Sequence, residues 1–115
     1  MRQRSEKDFI VEHPVLGKFT YGRRTYGDRI AIRRRYLQLL ERDDDKGVDE
    51  DLAAMAAIVA MHHVLCVSAP PGWEDLAEVD LLEEPGNAGL LLELYGLVKQ
   101  KEGSFRRFPE EASKG

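Results

Sequence analysis

His62, His63 and Cys66 bring the chain's soft ligands and its one thiol within five residues of each other. His62 and Cys66 are four positions apart, so a helix would put both on one face. A structural zinc site takes four such ligands and a catalytic one takes three plus a water. This pair falls short of either, and His13 is too distant along the chain to be joined to it by pattern. Cysteine beside histidine is also the material of a thiol nucleophile, but catalytic Cys–His pairs meet in space from distant positions. No local signature surrounds Cys66, and a free cysteine in an apolar run packs as a small hydrophobe. The reading is of core residues near the end of a helix, with no metal, no cofactor and no catalytic residue. The carboxylates at Asp43–Asp45 and Asp49–Asp51 lack the spacing and terminal Glu of a calcium loop. Neither G-x-G-x-x-G nor a Walker pattern is present.

The strongest charged constellation is Arg23, Arg24, Arg29, Arg33, Arg34 and Arg35. It belongs to a chain split by charge. Residues 1–42 carry eleven bases against five acids, a net of +6, and residues 43–115 carry six against sixteen, a net of −10. Such separation serves a partner, or lets one half hold the other. The arginines therefore either contact phosphate or an acidic protein segment, or pair internally with the acidic segments at 43–51 and 74–84. A pI near 5.4, a net charge of −4 and the lack of a DNA-binding motif argue against general nucleic-acid binding. A helix-turn-helix drawn from the second helix onward would end in an acidic helix that repels phosphates. The segment Phe105-Arg-Arg-Phe108 adds a basic, aromatic stretch, whose aromatics pack back on the helices or meet a partner. Arg29, Arg33, Phe105 and Arg107 are the candidate contact residues.

The elements that must position these groups are legible as patterns. At 115 residues the chain makes one domain, spanning 8–108, with flexible ends at 1–7 and 109–115. Phe9 and Val11 alternate with polar neighbours, as do Phe19 and Tyr21, around Pro14-Val-Leu-Gly17, which reads as a β-hairpin. Thr25-Tyr-Gly-Asp28 is a capping signal for a helix to about Arg42. Asp49 caps a second helix to about Val67, apolar nearly all round and hence the most buried. Leu52 to Ala69 is long enough to raise a membrane span, but it is Ala-rich, holds two histidines and has no basic anchor. Pro70-Pro-Gly72 ends that helix. Trp73 to Leu82 reads as a short helix with Trp73, Leu76, Ala77 and Leu81 inward. Asn87 starts a last helix, to about Lys101. The predicted fold is mainly α: a bundle of three longer helices plus a short one, with the hairpin packed on it. Its core contains Ile30, Leu37, Leu40, Met55, Ile58, Val59, Leu65, Leu91, Leu94 and Leu97. One free cysteine and a charged N-terminus without an apolar segment behind it suit a reducing compartment.

This order of weak signals resembles a known family. Phe9-Ile-Val-Glu-His-Pro-Val-Leu-Gly-Lys-Phe-Thr-Tyr21, the helix start Asp28-Arg-Ile-Ala-Ile-Arg33, and Ala69-Pro-Pro-Gly-Trp73 together look like a small tail assembly chaperone of long-tailed bacteriophages, over about residues 8–107. The resemblance implies a non-enzymatic role in virion morphogenesis. Such proteins bind the tape-measure protein, keep it soluble, and help the tail-tube protein polymerise around it in the host cytoplasm. Many also exist as a longer frameshifted product. The family has no catalytic residues to carry over. The alternative from the residues alone is a small nucleic-acid-associated regulator that uses the Arg-rich helix 28–42. Self-association is compatible with either reading.

Overall fold

The computed structural model describes residues 2–79 and 87–105. Strands β1 (Phe9–His13) and β2 (Gly17–Tyr21) form the hairpin, paired antiparallel from Phe9↔Tyr21 to His13↔Gly17. Gly17 takes φ +110°, which a side chain adopts only with strain, and a Cβ there would press on the Pro70 ring at 3.3 Å. Helix α1 (Tyr26–Leu40) begins at a capping box. The Thr25 hydroxyl accepts from the Asp28 amide, and the Asp28 carboxylate accepts from the Thr25 amide at 2.8 Å. Glu41, in the left-handed region, closes α1. Helix α2 (Glu50–Leu65) starts on Asp49, whose carboxylate accepts from the Leu52 amide.

The chain then departs from the helical bundle. The expected helix to Val67 stops at Leu65, and Cys66–Ser68 form a third strand, β3, antiparallel to β2. Cys66 is both the last cap of α2 and the first residue of β3. The fold is therefore three helices with a three-stranded antiparallel sheet in the order β1-β2-β3, not a bundle carrying an isolated hairpin. The physical reason is that two strands alone hold few pairings. Pairing with β3 satisfies the free edge of β2, and the Gly22 amide extends it by donating to the Leu65 carbonyl at 2.8 Å. The short helix expected over 73–82 is a single 3-10 turn, Leu76–Glu78. Leu76 is buried there, Trp73 is half-buried and Ala77 is exposed; Leu81 lies outside the described residues. The last helix, α3, is Asn87–Ser104.

The helices do not share one core. Helix α2 turns one side to α1 through Ala56 and Ala60, which meet Tyr36. Met61 and Leu65 face the sheet, where Phe9, Val11, Phe19 and Tyr21 join Leu94 and Val98 of α3. Ile58 meets Leu76 and Leu91. This central place explains why α2 is apolar nearly all round. It also corrects the expected core. Ile58, Leu65, Leu91 and Leu94 are buried. Leu37, Leu40, Met55, Val59 and Leu97 are half-buried, and Ile30 is 47% exposed. Helix α1 seats a single stripe on α2, led by Ile32 and Tyr36, so Ile30 is turned to the outside. The inner face of the hairpin, Phe9, Val11, Phe19 and Tyr21, adds an aromatic half to the core that the expected core residues do not include.

Candidate partner-binding surface

His13, His62 and the cysteine serve the core. The buried His62 ring lies between two partners: Nε2 is 2.9 Å from the Trp73 carbonyl, and Nδ1 is 2.8 Å from the Tyr21 hydroxyl. A carbonyl only accepts, so Nε2 carries the proton and Nδ1 accepts from Tyr21. Both ring nitrogens are occupied. Burial pushes the His62 pKa down to about 4, the bond to the Trp73 carbonyl opposing this only in part. Cys66 is buried, its thiol 3.4 Å from the Ser68 carbonyl, and burial pushes its pKa up to about 12. A thiol so held is a poor nucleophile. His63 is exposed on the other side of α2. His13, also buried, accepts the Val15 and Leu16 amides at Nδ1 and therefore donates Nε2–H to Glu93 at 2.9 Å. That bond ties the hairpin to α3. Among the described residues no three His, Cys, Asp or Glu side chains converge as metal ligands, and no helix is long and apolar enough to cross a membrane.

The arginines divide into held and available groups. Arg24 makes a two-pronged pair with Glu102 of α3, both bonds 3.1 Å. Arg33 reaches Asp45 at 3.4 Å across an exposed gap. The same carboxylate accepts the Tyr36 hydroxyl at 3.0 Å, and this bond, then Arg33, holds Asp45 below the usual carboxylate range. Arg23 lies over the Phe105 ring at 4.5 Å, and Phe105 meets Phe9 edge-on. Internal pairing thus draws on Asp45 and on Glu102. Among the described residues Arg29 and Arg34 have no carboxylate within 4 Å, and the acidic segment after Pro70 supplies none to the cluster.

Arg29 is the centre of what remains. It lines three adjoining depressions. One, about 460 Å³, runs between α1 and α2, with Arg24 and Arg33 on its rim and Ile32, Ala53 and Ala57 on its floor. The second lies toward Arg23, Tyr26 and Phe105. The third runs over Tyr26, Ile30 and Leu37 on the outer side of α1. Tyr26 is 76% exposed. The structure brings Arg29, Arg33 and Phe105 to one continuous surface; Arg107 lies outside the described residues. Tyr26 and Ile30 were missed as contact residues. Their signal in the sequence is the interleaving of apolar and basic positions at 26, 29, 30 and 33, one face of a helix that is apolar and cationic at once. Large apolar side chains left in water beside unpaired arginines are the composition of an interaction surface. No family model, no curated protein and no solved structure matches the chain.

Proposed function

We propose that this protein is a non-enzymatic binding module, and specifically a phage tail assembly chaperone that engages the tape-measure protein, the tail-tube protein or both in the host cytoplasm. The observation that carries the reading is the outer surface of α1, where exposed Tyr26 and Ile30 alternate with Arg29 and Arg33. Tyrosine and arginine are the side chains that contribute most at protein interfaces. An acidic segment with an apolar stripe matches this surface in charge and in apolar character. The occupied nitrogens of His62 and the suppressed thiol of Cys66 leave these groups to structural work.

Co-expression with the neighbouring tail proteins, followed by pull-down, tests the proposal. Recovery of a tail protein is expected, and Arg29→Glu with Arg33→Glu should reduce it at least about tenfold by reversing charge at the contact. Both positions are exposed, so the helical circular dichroism should not change. One observation favours a second reading: Tyr26 beside Arg29 could stack a nucleic-acid base. Salt-sensitive DNA binding at about 150 mM salt, where screening extends only about 8 Å, together with no tail-protein recovery, would replace the chaperone with a nucleic-acid-associated regulator.

A further inference from the structure

A separate basic depression of about 480 Å³ lies on the other side of α1, where Arg34 and Arg35 meet Arg2, Gln38 and His63. Among the described residues its charge is not balanced. Asp28 is the carboxylate that lines it, and both of its oxygens are taken: Oδ1 by Arg2 at 2.8 Å and Oδ2 by the Thr25 amide at 2.8 Å. Burial works against the Asp28 charge, but the bonds from Arg2 and Thr25 outweigh it and hold the carboxyl below its ordinary pKa. The Arg2–Asp28 pair is therefore neutral and closed. Two guanidinium groups remain, on adjacent residues, and among the described residues neither has a carboxylate within 4 Å. Arg34 is exposed, whereas Arg35 is half-buried, with its Nε–H shielded from solvent and without an acceptor. The enclosed Nε–H is out of reach of a ligand in the depression, so contact from Arg35 falls to its terminal guanidinium nitrogens.

We infer that this depression binds a small phosphate-type oxyanion, held between the Arg34 and Arg35 guanidinium groups. Two uncompensated positive charges match a dianion. Guanidinium forks suit the tetrahedral spacing of phosphate oxygens, and a low-polarity wall at Ala31 and Val64 strengthens such bonds. Gln38 and His63 are further donors at the rim. The depression shares Arg34 with the proposed partner surface, whereas Arg35, Gln38 and His63 line it and not that surface.

The test adds inorganic phosphate, and separately pyrophosphate, to the full chain at constant ionic strength, while nuclear magnetic resonance follows the arginine Nε–H signals. Saturable shifts of the Arg34 and Arg35 signals are expected. Arg34→Gln, at an exposed position where folding is not at risk, should weaken binding about tenfold, the worth of one charge-assisted contact. Lys18→Gln, which removes a positive charge from the far side of the sheet, should leave the affinity unchanged. Absence of saturable shifts, or equal weakening by Lys18→Gln, would overturn the site. An oligonucleotide that shifts the same signals when phosphate and pyrophosphate do not would also overturn it, in favour of a polymer contact.

Discussion

The Tyr21 hydroxyl donates to Nδ1 of His62 at 2.8 Å across forty-one residues of sequence, and with the Trp73 carbonyl on the opposite nitrogen it locks one tautomer of a fully buried ring. Three parts of the chain, the second strand, the central helix and the loop after it, meet at this imidazole. Tyr21→Phe keeps the ring packing and removes the donor. It should cost about 1–3 kcal/mol, the penalty for a buried acceptor left without a partner. Urea denaturation at neutral pH measures it.

The same burial sets a pH dependence. His62 titrates near 4 in the folded chain and near 6.5 when unfolded. Between those values the unfolded chain binds the proton and the folded chain does not, so stability rises with pH. The contribution is complete above about pH 6.5 and is lost as pH falls toward 4, amounting to about 3 kcal/mol over the window. Unfolding free energies measured from pH 4 to 7 should show this slope, and His62→Gln should flatten it.

Cys66 should resist thiol reagents in the folded protein. Its pKa is pushed up to about 12 and its side chain is enclosed, so at pH 8 almost no thiolate is present or reachable. Labelling by an aromatic disulfide should be slow in buffer and immediate in denaturant. Fast labelling of the native protein would mean that the α2–β3 junction opens readily.

Leu94 and Ile30 offer a paired test of the packing. Leu94 of α3 is 0% exposed against the sheet, and Leu94→Ala should cost about 2–5 kcal/mol. Ile30→Ala, on the outer face of α1, should change stability by less than about 0.5 kcal/mol. It should weaken partner recovery instead, since Ile30 belongs to the proposed contact surface.

The sequence made local structure readable and left the long-range joins hidden. Alternation located both hairpin strands, and the Thr25–Asp28 cap located the start of α1, because each signal is complete within a few residues. Cys66-Val-Ser68 carried no such signal. Three residues at the end of an apolar run fit a helix as well as a strand, and only pairing with β2, some forty-five positions earlier, decides between them. The arginines show the same division. Their clustering was plain, but that Arg24 belongs to Glu102 and Arg33 to Asp45 is a fact of tertiary arrangement. Arg29 emerged as a contact candidate by type, and as the centre of a surface only once its neighbours were in place.

The direct passage from α2 into β3 at Cys66 has a consequence for how the molecule opens. The Cys66 amide donates to the His62 carbonyl and its own carbonyl accepts from the Arg2 amide, while the neighbouring Leu65 carbonyl accepts from Gly22. No loop lies between helix and strand to absorb fraying. Unwinding the last turn of α2 therefore strips β3 from β2 in the same event and exposes the Gly22 amide with it. In hydrogen exchange, the amides of Gly22, Leu65 and Cys66 should share one opening free energy and respond alike to denaturant, as a single cooperative unit. The first turn of α1, anchored by its own cap, should exchange on a separate schedule.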